Sequence, residues 1–557
     1  MEHAPLQFRR ISSGDEPLSP EEAGLGPMLR AFSRVRYRAS CVNCFAGART
    51  ISFSSLLFLI SQLMIISRVS TKFSGRLSKA THTCTQTRRS DTSRASLPTF
   101  IAPNLCLSAA SVSRASLQQL PFRKHSIVHT VKGFATMGSL PETSSAVRVL
   151  ILGGCYGGLA AAVNLLDLSQ GYSPRMNSEP YTHHPNLPTF NIEITIVDER
   201  DGYYHLIGSP MALADSAFSK KNWVKYSDIP GLKDPRLSII QGSVTSVDPA
   251  SKKATISAHL TEEKSTLEYD YLVAATGLRR VWPVVPQSLT RKQYLFEAEN
   301  HINAVQNAKH GVVVVGGGAV GIEMAAELKM VKPHLNVTLA HSRDKLLSSE
   351  GLPDETKDVA LELLREAGVE VLMNHRLASK NKVSTTDGSE KHDIEFTNGH
   401  KMSASVVIMA ISRSVPTTTY LPLSALDEDG LVKIKPNLQF EQGTPNAESH
   451  YAAGDITKWP GIKRCGGAMH QGHYVALNIH QNILSQRAGH VPSYKEIAVY
   501  PPVIGLAVGK KAVAFSPDTG TTTGEDVLQS CFRDDLGWTI CWNYMQLGGR
   551  KTDEAKA

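Results

Sequence analysis

Two glycine-rich turns carry the residues that can do chemistry. The first lies in VRVLILGGCYGGLAAA, residues 147 to 162. Five of its first six residues are apolar, which predicts a buried parallel strand. Gly153, Gly154, Gly157 and Gly158 crowd the turn, with Cys155 and Tyr156 between them, and the Ala/Leu-rich run that follows predicts a helix. A strand, a glycine turn and a helix N-terminus together grip a pyrophosphate. Glycine lets the backbone come close, and the free N–H groups and partial positive charge of the helix end meet the phosphates. The second turn lies in HGVVVVGGGAVGIEMAAELK, residues 310 to 329, where Gly316, Gly318 and Gly321 fill all three positions of G-x-G-x-x-G. In the first copy those positions are Gly153, Cys155 and Gly158. Cys155 departs from the pattern, and its small size reads as a filler rather than a redox thiol.

A carboxylate closing the second strand of such a unit holds the ribose hydroxyls. In IEITIVDER that residue is Asp198, followed by Glu199. The stretch before it, Gly171 to Asn191, is rich in Pro, Asn and His and reads as a surface loop, where added length costs little. Its His183–His184 pair reads as part of that solvated loop and not as a metal site. In the second copy the strand LNVTLAHSRD ends at His341, with Ser342 and Arg343 beside it. No acid stands there to repel a 2′-phosphate, and Arg343 can attract one. That favours NADPH over NADH, or tolerance of both; the alternative is that Arg343 points to solvent and the donor is NADH. Glu323 reads as a first-turn residue of the second helix, where the dipole favours an anion, and as a candidate catalytic group facing the nicotinamide. Glu327, one turn on, reads as packing or surface.

Two further stretches suit a flavin. EYDYLVAATG, residues 268 to 277, reads as a strand ending in the small turn Ala275, Thr276 and Gly277. HYAAGD ends in Gly454 and Asp455, and a carboxylate there can accept a hydrogen bond from the ribityl chain of FAD. His470–Gln471–Gly472 reads as the opening of a helix, HQGHYVALNIHQNIL, whose N-terminus would face the flavin pyrimidine. Val244 and Gln471 complete the set assigned to FAD. In the second unit, Asp354 to Gly368 reads as an amphipathic helix, with VEVLMN and VVIMAIS as strands.

The elements that position these residues must share a chain of 557 residues, enough for two or three domains. The net charge of +8 is unevenly spread. Residues 1–136 hold 18 Lys/Arg and 6 Asp/Glu, a net of +12, so the remainder carries −4. The mildly acidic remainder argues against nucleic acid as a partner. Eight cysteines lie scattered, and the one C-x-x-C pair, Cys41 and Cys44, lacks the partners of a zinc site. Scattered cysteines suggest reduced thiols and an intracellular protein, and no metal is expected. The Ser/Arg-rich extension, low in acid after Ala23, reads as disordered or transit-like. Its apolar run ISFSSLLFLISQLMII is short for a membrane span, and Met137 is read as the functional start.

In order along the chain stand G-x-x-x-x-G, an acid, Ala-Thr-Gly, G-x-G-x-x-G and YAAGD. This order resembles the pyridine nucleotide–disulfide oxidoreductase superfamily, from about Val147 to Gln546. YYHLIGSPMAL, HSR and RDDLGWTICWNYMQLG make it most similar to the apoptosis-inducing-factor-like and ferroptosis-suppressor-like branch, with type II NADH dehydrogenases as near neighbours. The resemblance implies an α/β fold with two Rossmann-like dinucleotide-binding domains, the NAD(P) domain inserted in a split FAD domain. The implied division is an extension at 1–136, FAD-binding residues 137–305, NAD(P)H-binding residues 306–430, FAD-binding residues 431–490 and a C-terminal segment at 491–557. It implies an FAD-dependent NAD(P)H oxidoreductase with a small acceptor, a quinone, entering near the C-terminal segment. Other readings are a cofactor-gated effector of the apoptosis-inducing-factor kind and an electron-transferring-flavoprotein type of dehydrogenase. The C-x-x-x-x-C pair of the disulfide reductases is missing from the first helix, which argues against disulfide chemistry. Residues 500–515 and 538–547 are apolar enough to touch a membrane, and domain packing or a homodimer explains them equally well. The expected location is the cytoplasm or mitochondria, with a membrane surface left open.

Overall fold

Uninterrupted apolar runs need cover on both faces, and two such runs become the inner strands of two parallel sheets. The computed structural model describes residues 145–385, 389–411 and 414–551. The extension, with its apolar run, Cys41, Cys44 and Met137, lies outside the described residues.

In chain order the first unit comprises β1 (Val147–Leu152), α1 (Tyr156–Ser169), β2 (Ile192–Asp198), β3 (Leu237–Asp248), β4 (Lys253–Ala258), β5 (Lys264–Glu268) and β6 (Tyr271–Ala274). A connecting helix, α2 (Arg291–Gln306), is capped by Thr290, whose side chain accepts the Gln293 N–H. The second unit comprises β7 (Val312–Val315), α3 (Ala319–Val331), β8 (Val337–Ala340), α4 (Asp354–Glu366), β9 (Glu370–Leu372), β10 (Leu377–Ser384), β11 (Glu390–Phe396), β12 (Lys401–Ala404) and β13 (Val406–Met409). The chain then supplies β14 (His450–Ala452), the long helix α5 (Cys465–Ala488), β15 (Ile504–Val508), β16 (Lys511–Ser516), β17 (Gly520–Gly524) and α6 (Trp538–Tyr544).

The first sheet has the order β14–β6–β1–β2–β3–β4–β5. Its first five strands are parallel, with Ile151 beside Ile196 on one side and Val273 on the other. β14 comes from far down the chain, so this sheet is assembled from two separate stretches. The second sheet, β9–β8–β7–β13, is wholly parallel, with Val314 between Leu339 and Ile408. In both sheets the strand before the glycine turn has neighbours on opposite sides, which opens a crevice at its C-terminal end.

Three local readings need correction. EYDYLVAATG is not one strand: β5 and β6 part at Tyr269–Asp270, where Asp270 both accepts the Arg148 N–H through Oδ2 (2.8 Å) and donates its own N–H to the Arg148 carbonyl (2.9 Å). The helix expected to open at His470 begins at Cys465. Glu323 stands in the second turn of α3, whose first turn carries no acid.

The 171–191 loop is also less solvated than its composition suggests. Met176 and Phe190 are buried, and Arg175 pairs with buried Asp167 at 2.8 Å. The C-terminal segment packs into both cores. Leu506, Val508 and Val513 join the core of the second unit, and Cys541, Met545 and Leu547 join that of the first. Val499, Tyr500 and Tyr544 remain exposed. Among the described residues no helix is long and apolar enough to cross a membrane.

Candidate functional site

The first loop is held by three backbone constraints. The Gly153 N–H donates to the Val197 carbonyl at 2.8 Å, and Gly153 has φ +100, a conformation that favours glycine. A Cβ on Gly153 would lie 2.4 Å from the Ala275 carbonyl oxygen, and a Cβ on Gly158 only 1.8 Å from the Gly153 carbonyl oxygen. Gly158 therefore lets α1 start directly against the end of β1. Cys155 is the N-cap of α1 with an extended backbone, φ −111, which any residue can adopt. Its thiol turns away to the Tyr204 carbonyl at 3.4 Å, and burial pushes it up to about 12. That arrangement suits a filler. Tyr156 donates or accepts at His205 Nδ1 (3.1 Å), and Gly157 faces the start of α5, 3.3 Å from the Ala468 carbonyl oxygen to where its Cβ would stand.

Asp198 ends β2 and accepts the Gly154 N–H on Oδ2 at 2.6 Å and the Arg200 N–H on Oδ1 at 2.8 Å. Burial pushes its carboxyl up, opposed by the Arg200 charge and by these donors. Glu199 is engaged elsewhere, in an ion pair with Arg279 at 2.6 Å and as acceptor of the Ser243 hydroxyl. Val244 stands beside an irregularity in the β3–β4 pairing. The Ala275 N–H extends the β1 ladder through the Leu152 carbonyl (2.7 Å). The Thr276 hydroxyl donates to the Thr417 carbonyl at 2.7 Å. Gly277 has open space where a Cβ would stand.

At the end of β14, the Gly454 N–H donates to Gln471 Oε1 at 2.6 Å, which ties this turn to α5. Asp455 lies 3.7 Å from the Arg280 guanidinium; burial pushes its carboxyl up, with Arg280 and Lys463 pulling down. Gly466 and Gly467, in the first turn of α5, have nothing within 4 Å of the place a Cβ would take. The sequence reading missed this cradle because a Gly-Gly pair reads as a turn rather than a helix start. An open pair of glycines at the N-terminus of a 24-residue helix, beside a partly buried carboxylate, fits a polar planar ring and its ribityl chain.

The second loop repeats the plan. Gly316 has φ +122, and its N–H donates to the Ala340 carbonyl at 2.9 Å. A Cβ on Gly321 would lie 1.8 Å from the Gly316 carbonyl oxygen, while Gly318 faces open space. His341 takes the place of the acid: its Nδ1 accepts the Gly317 N–H at 3.0 Å. Nε2 then carries the proton and reaches the Ser348 hydroxyl at 3.2 Å. Burial lowers the imidazole's pKa, with the Arg343 charge acting in the same direction, so the ring is neutral at physiological pH. Arg343 is exposed, and its guanidinium donates to the Ser348 carbonyl at 3.2 Å.

Behind this loop, burial pushes the Glu323 carboxyl up to about 8, and the Ala507 N–H donates weakly to it at 3.4 Å. The neighbouring Glu327 carboxyl adds to that upward shift. Glu327 is not on the surface. It is buried with neither carboxyl oxygen partnered, and burial pushes it also to about 8. No group of His, Cys, Asp and Glu among the described residues could hold a metal.

The sequence pattern of the pyridine nucleotide-disulphide oxidoreductase family matches residues 147–472. The chain is 46% identical over 456 residues to the Ajellomyces capsulatus protein named oxidoreductase OXR1, covering 80% of this chain and 97% of that one. It is 29% identical over 365 residues to mouse (Mus musculus) ferroptosis suppressor protein 1, covering 64% and 86%. Among solved structures, the sulfide:quinone oxidoreductase of Aquifex aeolicus superposes with a TM-score of 0.53 at 19% identity, covering 73% of this chain and 93% of that one. NDH2 from Plasmodium falciparum gives 0.52 at 14% identity, covering 73% and 99%. These two likenesses concern the fold.

Proposed function

The chain belongs to the pyridine nucleotide-disulphide oxidoreductase family, a family of FAD- and NAD(P)H-dependent enzymes, and we propose that it passes electrons from NAD(P)H to a small acceptor of the quinone class. In this reading the first loop, Asp198, the Ala275–Gly277 turn and the Gly454–Asp455 turn hold FAD, with Gly466 and Gly467 leaving room for its ring. The second loop, His341 and Arg343 hold the nicotinamide dinucleotide. When bound, FAD supplies the hydride acceptor and a two-electron store. Stacking two rings and excluding water is then the work of the protein.

The observation that supports the reading is the repeated loop: in each parallel sheet the third glycine's Cβ position falls 1.8 Å from the first glycine's carbonyl oxygen, so that a helix starts directly against the strand end. The side-chain chemistry is modest and concerns protons. A quinone takes up two protons with its two electrons. Glu323, shifted to about 8, holds a proton on its carboxyl at neutral pH and can release it there. The neutral His341 leaves the second site without an anion, and Arg343 adds a cation, which supports NADPH as a donor.

The test is anaerobic rapid mixing. The purified protein is yellow, NADPH bleaches it, and a soluble quinone restores the colour much faster than oxygen does. Asp455→Ala releases the flavin. A colourless wild type that cannot be reconstituted defeats the flavin site, and recolouring no faster with quinone than with oxygen defeats the acceptor.

A further inference from the structure

A carboxyl buried without a partner is the least expected feature of the second unit. Glu327 is 1% exposed, and neither of its oxygens has a hydrogen-bond partner among the described residues. An unmatched polar group in a core is destabilising, and an apolar side chain of similar length would not be. The residue at the same place in α1, Asn164, shows what a bracing role looks like, since both ends of its amide are used, on the Ala160 carbonyl and the Met176 N–H. Glu327 braces nothing. No counter-charge faces it either, because burial alone carries its carboxyl to about 8.

Glu323 stands one turn earlier and is the less buried of the two. Residues four apart on a helix share a face, with Cβ atoms about 5–6 Å apart, so two Glu side chains in this register can meet. α3 runs away from the second glycine loop, which places Glu323 between that loop and Glu327. The helix packs on β15, whose Ile504, Leu506 and Val508 are buried and whose Ala507 N–H reaches Glu323 at 3.4 Å. We propose that Glu327 is a proton reserve for Glu323, and that the two carboxyls form a two-step relay supplying the proton a quinone needs on reduction.

The proposal rests on the NAD(P)H-to-quinone reading of the protein. Overall, NAD(P)H, one proton and a quinone give NAD(P)+ and a hydroquinone. The donor's hydride brings both electrons and one of the two hydrogens, and the relay brings the other as a proton. Glu323 gives its O–H proton to the quinone oxygen. The Glu327 O–H proton then passes to the Glu323 carboxylate, which leaves Glu327 as the carboxylate. Water returns the proton through Glu323 when the product leaves, and neither carboxyl is oxidised or reduced. Both carboxyls are shifted to about 8, so the proton moves between them with little bias and the single negative charge is shared. Glu327 acts through Glu323 and touches no substrate, which makes it a positioning residue.

The experiment uses the flavin-loaded full chain, reduced anaerobically with NADPH and mixed with a soluble quinone or with ferricyanide, which takes electrons without protons. Glu327→Gln keeps the shape of the side chain and has no carboxyl proton to give. The expected result is reoxidation by the quinone slowed about tenfold, with reoxidation by ferricyanide and bleaching by NADPH at wild-type rates. Glu327→Asp restores part of the quinone rate. The infrared carbonyl band of a buried protonated carboxyl, present in the wild type at pH 7, weakens in Glu327→Gln. A quinone rate equal to that of the wild type, a slowing shared equally by ferricyanide, or an infrared band unchanged by the substitution overturns the proposal. A wild type that the quinone reoxidises no faster than oxygen does defeats the acceptor reading itself and takes the relay with it.

Discussion

The two glycine loops share a backbone and differ in charge. In each, the first glycine has a positive φ, and the third stands where a Cβ would meet the first glycine's carbonyl oxygen at 1.8 Å. In each, the residue closing the second strand accepts an N–H from the residue after the first glycine. In the first loop that acceptor is a carboxylate, Asp198, at 2.6 Å. In the second it is a neutral imidazole, His341, at 3.0 Å. The loop geometry needs only an acceptor, so the position is free to carry a charge or not, and that choice can select the ribose it meets. The helices behind the loops differ too. Six residues past the third glycine, α1 carries buried Asn164, which donates to the Ala160 carbonyl at 2.7 Å and accepts the Met176 N–H at 3.2 Å. At the same place α3 carries Glu327, with neither oxygen partnered.

The largest effect comes from breaking the shared feature one loop at a time. Gly158→Ala and Gly321→Ala each drive a methyl into a backbone carbonyl, and neither carbonyl can rotate away without moving its strand end. Gly321→Ala is expected to stay yellow but to lose reduction by NADPH by about 100-fold or more. Gly158→Ala is expected to lose the flavin itself. Flavin absorbance and the rate of bleaching separate the two, and a loss of flavin from both variants would mean the loops do not serve separate ligands.

Next is the acceptor itself. His341→Asp keeps an acceptor for the Gly317 N–H and places an anion where the second loop has none. The KM for NADPH is expected to rise relative to that for NADH by about 10- to 100-fold, the effect of one to two partly screened like charges' worth of repulsion. Steady-state kinetics with both donors checks it. An equal rise for both would leave His341 as a loop brace without a part in choosing the donor.

An effect on stability, with a smaller one expected on catalysis, separates the two helices. Glu327 is raised from 4.5 to about 8 by burial. Below pH 4.5 it is protonated whether the chain is folded or unfolded, and it costs nothing. Between 4.5 and 8 the unfolded chain ionises first, so stability falls as pH rises; above 8 the loss is complete. Glu327→Gln is therefore expected to match the wild type near pH 4.5 and to exceed it at pH 8, by on the order of a few kcal/mol. Thermal melts across that range check it. Glu323 titrates in the same window, so the pH slope shrinks without vanishing.

Much of this plan is legible in the sequence because glycines and apolar runs act locally. Val147–Leu152 and Val312–Val315 can only be buried strands, and the glycine spacing fixes the turns that follow. What escaped depends on distant contacts. The head of α5 was hidden because Gly466 and Gly467 have poor helix propensity, and only packing on α1, where a Cβ on Gly472 would lie 2.1 Å from the Gly157 carbonyl oxygen, settles the helix there. Glu327 could be read from the sequence as packing or as surface, because α3 is short of other charges to mark its faces; the structure buries it. The burial of Cys541, Met545 and Leu547 in the core of the first unit has no local signal at all, since it depends on the C-terminal segment packing against residues distant in the sequence.

The smallest expected effect is at Arg343, and it is the one that limits how far charge alone explains the second loop. The guanidinium is exposed and already donates to the Ser348 carbonyl at 3.2 Å. An exposed charge interacts through water, and pairs of this kind contribute roughly 0.2–1 kcal/mol. Arg343→Ala is therefore expected to raise the KM for NADPH by about two- to fivefold and to leave NADH unchanged. The difference should fade at about 1 M salt, where the screening length falls to about 3 Å. Kinetics at low and high salt with both donors check it. A loss that equals that of His341→Asp and persists in salt would require a direct, desolvated contact between Arg343 and the nucleotide. The guanidinium would then have to leave Ser348 on binding, and the second loop would select its donor by movement rather than by the neutrality of His341.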